Sequence, residues 1–234
     1  MTMTVERPVL FRNDRVFFTG MAIAAAVTVF AGFAPTYYLR SHDLPPLSPL
    51  VQLHGLVFTS WIFLFVAQTT LVAVGRTDIH RRLGIFGGIL AVAIVGIGTM
   101  VAVGAMRRGV SAGGMDPRVF LSIPLGDILT FAILVSAGVS LRRRSEAHKR
   151  LMLLAIITLL TPAIARLVIL MHGQPPAFFV LTDVFVAAAV AYDFWSRGRV
   201  HPALILGGAL VIGKPLLAAA ASTPAWLGLV DALR

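Results

Sequence analysis

The chain has 234 residues, of which 58% are hydrophobic and only 13% are charged. A soluble domain carries about a quarter charged residues, so this composition excludes a soluble globular protein and an intrinsically disordered one. The net charge of +10 comes from 18 Arg and 2 Lys that cluster between apolar runs. That clustering is typical of membrane topology and of contact with anionic headgroups, and it argues against a nucleic-acid partner.

Seven apolar runs are each long enough to cross about 30 Å of hydrocarbon as a helix, which takes roughly 20 residues. They lie at approximately residues 16–38, 50–75, 83–106, 119–141, 151–172, 177–195 and 202–221. Helices satisfy their own backbone groups in lipid, and the short alternating pattern of a β-barrel is missing from the sequence. The sequence predicts an all-α, polytopic membrane bundle of seven transmembrane helices, with residues 1–234 forming a single transmembrane domain.

The Arg and Lys residues between the runs predict the orientation of the bundle. Thirteen of them fall in the N-terminal tail and in the connections after runs two, four and six, against five on the other side. The positive-inside rule then places the N-terminus in the cytoplasm and the C-terminus outside.

A short pattern, R-x-x-x-H-x-x-L, opens runs three, five and seven, with its histidine at His80, His148 and His201. Three similar hairpins after a lone first helix predict a bundle of one leading helix plus three related helical hairpins. Arginines beside each histidine repel a cation, and hairpin repeats would spread the three histidines around the bundle. No metal site is therefore predicted, although imidazole is a common metal ligand.

Ionisable residues inside membrane helices are costly and are therefore candidates for function. Four of them belong to four different runs and reach about the same depth, roughly 6–12 Å below the outer surface: His54, Asp127, Arg166 and Asp183. His172 lies at the outer end of the fifth run, and these five residues form the predicted cofactor-binding or ligand-binding site. The structural alternative is that Arg166 pairs with Asp183 or Asp127 to hold helices together.

Haem is one occupant that the histidines allow, with His54 and His172 as ligands near the outer surface. A second haem on His80 and His148 would lie at the opposite surface, because the 24 residues from His148 to His172 span about 36 Å of helix. A two-haem electron wire is therefore disfavoured, whereas a single outer haem stays open.

Lys214, near the middle of the seventh run, raises retinal as a further cofactor, since a Schiff-base lysine needs a carboxylate counter-ion. The third run contains no acid, and Asp127 and Asp183 are expected nearer the outer side than Lys214. Retinal is therefore disfavoured, and Lys214 is expected to satisfy a carbonyl that the neighbouring Pro215 frees.

A family resemblance rests on several segments: His54-Gly55, Trp61, Gln68, Gly75-Arg76, His80-Arg81-Arg82-Leu83-Gly84, Ala147-His148-Lys149-Arg150-Leu151-Met152 and Arg199-Val200-His201-Pro202-Ala203. With them the chain, from about residue 16 onward, resembles a group of uncharacterised bacterial multi-pass membrane proteins. The resemblance implies the fold and a bacterial inner membrane, and it implies no activity. The histidines near helix ends are also similar to those of b-type haem membrane proteins and of cytochrome oxidase assembly factors.

The function predicted from the sequence is binding of a small ligand or redox cofactor, either haem or a quinone-like molecule, at the outer polar cluster. Arg166 would neutralise an anionic group of that ligand, and His54 would ligate it or hydrogen-bond to it. A proton-coupled or small-solute transporter is one alternative. A structural accessory subunit of a membrane complex is the other, and a homodimer is also compatible with the sequence.

Overall fold

The computed structural model describes residues 7–111, 114–174 and 177–232, and all regular structure within those ranges is helical. The helices are α1 Arg7–Phe33, which continues as a π-helical turn Ala34–Tyr38, α2 Pro49–Ala73, α3 Thr77–Arg107, α4 Pro117–Phe120, α5 Ser122–Ser140, α6 Ser145–Thr158, α7 Thr161–Leu170, α8 Ala177–Arg197, α9 Pro202–Ile212, α10 Lys214–Ala220 and α11 Pro224–Asp231.

The lengths and apolar compositions of these helices confirm a multi-pass membrane bundle of about seven spans. Six continuous or nearly continuous segments are long and apolar enough to cross a bilayer: Asn13–Tyr38, Pro49–Ala73, Thr77–Arg107, Pro117–Ser140, Ala177–Arg197 and Pro202–Ala220. The seventh is a pair, α6 and α7, bent by 40° at a short break. Pro162 explains the break, because proline has no N–H to donate to the carbonyl of Thr158 one turn earlier.

Successive spans alternate in direction, so each end of the bundle collects a fixed set of helix ends. The amino-terminal end is the one where α1, α3, α6 and α9 begin and where α2, α5 and α8 finish. The other end, called the opposite end below, holds the start of α2 and the end of α7. The packing follows the predicted hairpins, because α2 packs against α3, α5 against α6, and α8 against α9.

The bent span formed by α6 and α7 lies at the centre of the bundle. The segment Leu151–Thr158 carries no charged side chain, and a helix that is apolar on all sides is expected to be buried. Accordingly, Leu154, Ala155, Ile156 and Ile157 have no exposed surface, and α6 contacts α1, α5, α8 and α9. Polar groups on this span are therefore held away from lipid by neighbouring helices.

Close approach between α1 and α7 depends on Gly32. A Cβ at this position would overlap the backbone of Ala163, so only glycine allows the two helices to meet here. By contrast, a Cβ at Gly88 on α3 would meet no atom within 4 Å. The contact at Gly32 fixes α7, and with it Arg166, against α1.

The C-terminal helix α11 is absent from the sequence prediction. Thr223 caps it by accepting a hydrogen bond from the Trp226 backbone N–H, and Pro224 occupies its first position. The Trp226 ring nitrogen donates to the Arg118 carbonyl at 2.8 Å, and the Arg118 guanidinium pairs with Asp231 at 3.2 Å. These bonds attach α11 to α4 at the opposite end.

Candidate functional site

His54 on α2 and Arg166 on α7 both lie toward the opposite end of the bundle, and the positive charge of Arg166 acts on the His54 imidazole. His54 lies on the second turn of α2, and its ring stacks on Phe58 with a centroid separation of 4.0 Å. The Nδ1 atom of His54 is buried and has no hydrogen-bond partner in the described chain. Buried polar atoms are rarely left unpaired, so this nitrogen requires an explanation.

Arg166 occupies the middle of α7, where its guanidinium lies over the Phe33 ring at 4.2 Å from the ring centroid. One nitrogen, Nη1, donates to the Pro162 carbonyl at 2.9 Å, which is a bond within its own helix. Among the described residues, no carboxylate lies within ion-pairing distance of this guanidinium. The expected structural pairing of Arg166 with Asp127 or Asp183 is therefore wrong.

The π-helical turn after α1 packs against α2 beside Gly55, the residue that follows His54. Tyr37 lies against Gly55, where a Cβ would overlap its ring, and its hydroxyl donates to the Gln52 carbonyl at 3.2 Å. Tyr38 exchanges a 2.7 Å hydrogen bond with Thr59, one turn further along α2. Tyr37 also lines an open groove of about 490 Å³ at this end, together with residues of the loop before α2. The aromatic turn thus fastens the end of α1 to the part of α2 that carries His54.

Asp127 has a different partner from the one expected, because it pairs with Lys214. The Lys214 ammonium lies 2.6 Å from Asp127 Oδ1, and each side chain is only 4% exposed. The same ammonium donates to the hydroxyls of Thr161 at 2.9 Å and Thr158 at 3.1 Å, and it lies 3.4 Å from the Thr158 carbonyl. The ion pair is therefore surrounded by oxygen atoms within the bundle.

The backbone explains why this pair lies where it does. Thr158 is the last residue of α6, and Pro162 leaves its carbonyl without the usual helical donor. Lys214 directly follows Gly213, at the break between α9 and α10. Lys214 therefore does reach a carbonyl freed by a proline, but that proline is Pro162 rather than its neighbour Pro215. The expectation that Asp127 lies too far toward the outer side to meet Lys214 is wrong.

The two remaining predicted residues stand apart from these pairs. Asp183 is half-buried on α8, where the positive charge of Lys214 acts on its carboxylate. It forms no ion pair within 4 Å with any described residue. His172 is exposed in the turn after α7, and its φ of 56° places it in the left-handed region that few residues other than glycine adopt. The five predicted residues thus do not form one cluster: His54 and Arg166 form one group, Asp127 pairs with Lys214 instead, and Asp183 and His172 stand apart.

A second polar cluster, at the amino-terminal end, is absent from the sequence prediction. Arg150 on α6 is 1% exposed, and its Nε donates to Asp193 on α8 at 2.8 Å. Lys149 and Arg197 both pair with Asp14 on α1 at 2.6 Å. Glu146 connects the Arg150–Asp193 pair to the ion pairs of Asp14, because it accepts hydrogen bonds from both Lys149 and Arg150. This amino-terminal charge network connects α1, α6 and α8.

A signal for this network was present in the sequence. Glu146 and Arg150 are four residues apart, as are Asp193 and Arg197, and that spacing places both members on one helix face. Acids of the network stand among the basic residues that determine the orientation at this end. A count of both signs at each end would have indicated an ion-pair cluster.

Comparison of the chain with protein-family models, with curated proteins and with solved structures finds no match. The arrangement of the side chains is therefore the basis for a functional proposal.

Proposed function

We propose that this protein binds a small amphipathic ligand carrying a carbonyl or anionic oxygen, with His54 and Arg166 holding that oxygen. The observation that carries the proposal is the Arg166 guanidinium, which lies in a membrane-spanning helix with no carboxylate beside it in the described chain. Arginine stays charged in almost any protein environment, and an unpaired charge within a membrane is costly. A ligand oxygen would supply the missing partner.

The surroundings of the two residues favour an aromatic ligand over a purely polar one. Phe33 lies under Arg166, Phe58 stacks on His54, and Tyr37 covers the neighbouring glycine. A planar ring could stack in such surroundings while its oxygens accept hydrogen bonds from the guanidinium and the imidazole. A quinone headgroup has this combination of a flat ring and carbonyl oxygens. Haem fits less well, because the exposed His172 is not held beside His54.

Ligand binding is testable by tryptophan fluorescence, because Trp61 lies two helical turns from His54 on α2, at about 10 Å. Titration of the detergent-purified protein with a short-chain ubiquinone analogue is expected to quench this fluorescence saturably. Arg166→Gln and His54→Ala should each weaken the apparent affinity at least tenfold, because each removes a hydrogen bond to a ligand oxygen.

Arg76→Gln serves as the control, because Arg76 is exposed at the other end of the bundle. It should titrate as the wild type does. Native mass spectrometry of the same samples reports any ligand that survives purification. Wild-type quenching that is not saturable, or a His54→Ala variant indistinguishable from wild type, would contradict the proposal.

A proton-coupled transporter is the second candidate, and the Asp127–Lys214 pair favours it. Two spans are interrupted near this pair, α6–α7 after Thr158 and α9–α10 at Gly213. Interrupted helices next to a buried charge pair are a feature of many secondary transporters. In proteoliposomes, Asp127→Asn would abolish proton-coupled flux of a transported solute, whereas a ligand-binding protein would show no such flux in any variant.

The proposed location is a bacterial inner membrane, with the amino-terminal end in the cytoplasm. The excess of Arg and Lys at that end supports this orientation, and acids contribute little to the rule even where they pair with those bases. The natural absence of cysteine makes the orientation simple to test. Single cysteines can be placed at two exposed positions, Ser41 at the opposite end and Arg143 at the amino-terminal end.

In intact cells with a permeable outer membrane, a membrane-impermeant maleimide is expected to label Ser41→Cys at once. Arg143→Cys should be labelled only after the inner membrane is opened, because its side chain faces the cytoplasm in the proposed orientation. The unsubstituted protein provides the background. Labelling of Arg143→Cys in intact cells would reverse the orientation.

A further inference from the structure

Two of the three repeated histidines meet at the amino-terminal end of the bundle. His80 is the fourth residue of α3 and His148 is the fourth residue of α6, and their ring centroids lie 6.2 Å apart with an interplanar angle of 83°. The third, His201, has a separate role, because its Nδ1 accepts a hydrogen bond from the Ala203 backbone N–H at the start of α9. The expected spreading of all three around the bundle is therefore wrong for this pair.

The backbone leaves one ring nitrogen of His148 free to act as a ligand. Its Nδ1 lies 2.8 Å from the Gly138 carbonyl oxygen, which can only accept. Nδ1 therefore carries the proton in the neutral ring, and Nε2 keeps its lone pair. A hydrogen bond of this kind orients many metal-binding histidines. Gly138 lies close to α6 at this point, since a Cβ there would lie 3.0 Å from the Met152 sulfur.

His80 and its neighbour Gln68 also have buried polar atoms without a partner in the described chain. The Nδ1 atom of His80 and the Oε1 atom of Gln68 are both buried without a hydrogen-bond partner in the described chain. The Gln68 amide nitrogen donates to the His80 backbone carbonyl at 3.2 Å, which holds the two residues together. Several lone pairs thus lie in one small region, and the described residues provide no donor for His80 Nδ1 or Gln68 Oε1. A bound cation would satisfy them.

The centroid separation of the two rings leaves room for a single ion between them. With metal–nitrogen bonds of about 2 Å, two imidazoles in linear coordination place their centroids about 6 Å apart. No group of three or more His, Cys, Asp or Glu residues in the described chain forms a metal site, so a four-ligand zinc centre is not built here. The geometry favours an ion that accepts two strong ligands.

The charge of the surroundings selects among such ions. Arg81 follows His80 directly, Lys149 follows His148 directly, and the nearby acid Asp78 pairs with Arg76 at 3.3 Å. A monovalent ion is repelled by these bases less than a divalent one. Cu(I) is monovalent and is bound well by imidazole nitrogen, whereas Mg²⁺ and Ca²⁺ need several oxygen ligands.

We propose that His80 and His148 form a Cu(I)-binding site at the amino-terminal end, with the Gln68 side-chain oxygen available as a weak third ligand. The site is separate from His54 and Arg166, which lie at the opposite end, and it does not depend on the proposed quinone-like ligand. The pair of imidazoles provides the two strong bonds, and the Gly138 carbonyl fixes the orientation of one of them.

The test is a competition between the purified full-length protein and the chromogenic chelator bicinchoninate for Cu(I), with ascorbate as reductant. The wild type is expected to withdraw one Cu(I) per chain. His80→Gln and His148→Gln should each lower the Cu(I) affinity at least tenfold, because a single remaining imidazole cannot hold the ion. His42→Gln, which alters an exposed histidine at the opposite end, should leave the affinity unchanged.

A further variant separates loss of a ligand from loss of the fold. His80→Cys replaces the imidazole with a thiolate, which is a strong ligand for Cu(I), and it should retain binding that His80→Gln loses. Failure of the wild type to withdraw Cu(I), unchanged affinity in His80→Gln, or a preference for Zn²⁺ over Cu(I) would overturn the proposal. A Soret band in the isolated protein that disappears in His80→Gln would also overturn it, by assigning the histidines to haem.

Discussion

Lys214→Met is expected to lower the free energy of unfolding by about 3–5 kcal/mol, because it leaves the buried carboxylate of Asp127 without its counter-charge. The two threonine hydroxyls that surround the ammonium cannot replace a positive charge. The measurement is reversible unfolding in mixed micelles at increasing mole fractions of SDS, followed by circular dichroism. Asp127→Leu alone should cost a similar amount, because it isolates the lysine instead.

The double variant Asp127→Leu/Lys214→Met distinguishes a charge effect from a packing effect. Removal of both charges is expected to recover most of the lost stability, since a buried ion pair often contributes little over apolar residues of similar size. Arg76→Ala is the matched control, because the Arg76–Asp78 pair is more than half exposed and its loss should leave the stability close to that of the wild type. A double variant as unstable as either single one would mean that shape, not charge, dominates at this position.

Asp193→Ala is expected to have the other large effect, again a loss of about 3–5 kcal/mol in the free energy of unfolding. Arg150 would stay inside the bundle, 1% exposed, and would keep only the partly exposed carboxylate of Glu146 beside it. The His201 backbone N–H, which also donates to Asp193 at 3.1 Å, would lose its acceptor as well. The same SDS titration measures the change.

Arg150→Lys tests whether geometry as well as charge matters in this network. The Arg150 guanidinium reaches Asp193 through Nε, and through Nη1 it reaches both the carbonyl and the carboxylate of Glu146. An ammonium is a single point donor and cannot span the same set of oxygens. The lysine variant should therefore be clearly less stable than wild type. Wild-type stability in Arg150→Lys would show that one positive charge is sufficient.

The spans were predictable from the sequence because they depend on composition alone. A run of about 20 apolar residues specifies a membrane helix whatever its neighbours are, and the loop positions then follow. The exact ends of the helices were harder to predict from the sequence. The third span begins at Thr77 rather than residue 83, because Asp78 and Arg81 interrupt the apolar run without interrupting the helix. The eight residues of α11 are too few to give a membrane-helix signal.

The span that carries each candidate residue was predictable, but the grouping of these residues was not. Counting along a helix gives the height of a side chain, whereas the direction it faces turns by about 100° per residue and is set by packing. Asp127 and Arg166 are expected at similar heights, yet Asp127 faces Lys214 and the break after Thr158. The bend at Pro162 and the contacts of the central span determine that Asp127 faces Lys214 rather than Arg166.

The hydrogen bonds of Asp14 can form only late in the assembly of the bundle. This carboxylate is inserted with α1. Its partners Lys149, Tyr192 and Arg197 follow 135, 178 and 183 residues later in the chain. At translation rates of about 5–20 residues per second, roughly 10–40 seconds separate its emergence from that of Arg197. Asp14 on α1 therefore has none of these three partners until α6 and α8 have been synthesised. The final docking of α1 is a late step in assembly, although α1 precedes α6 and α8 in the chain.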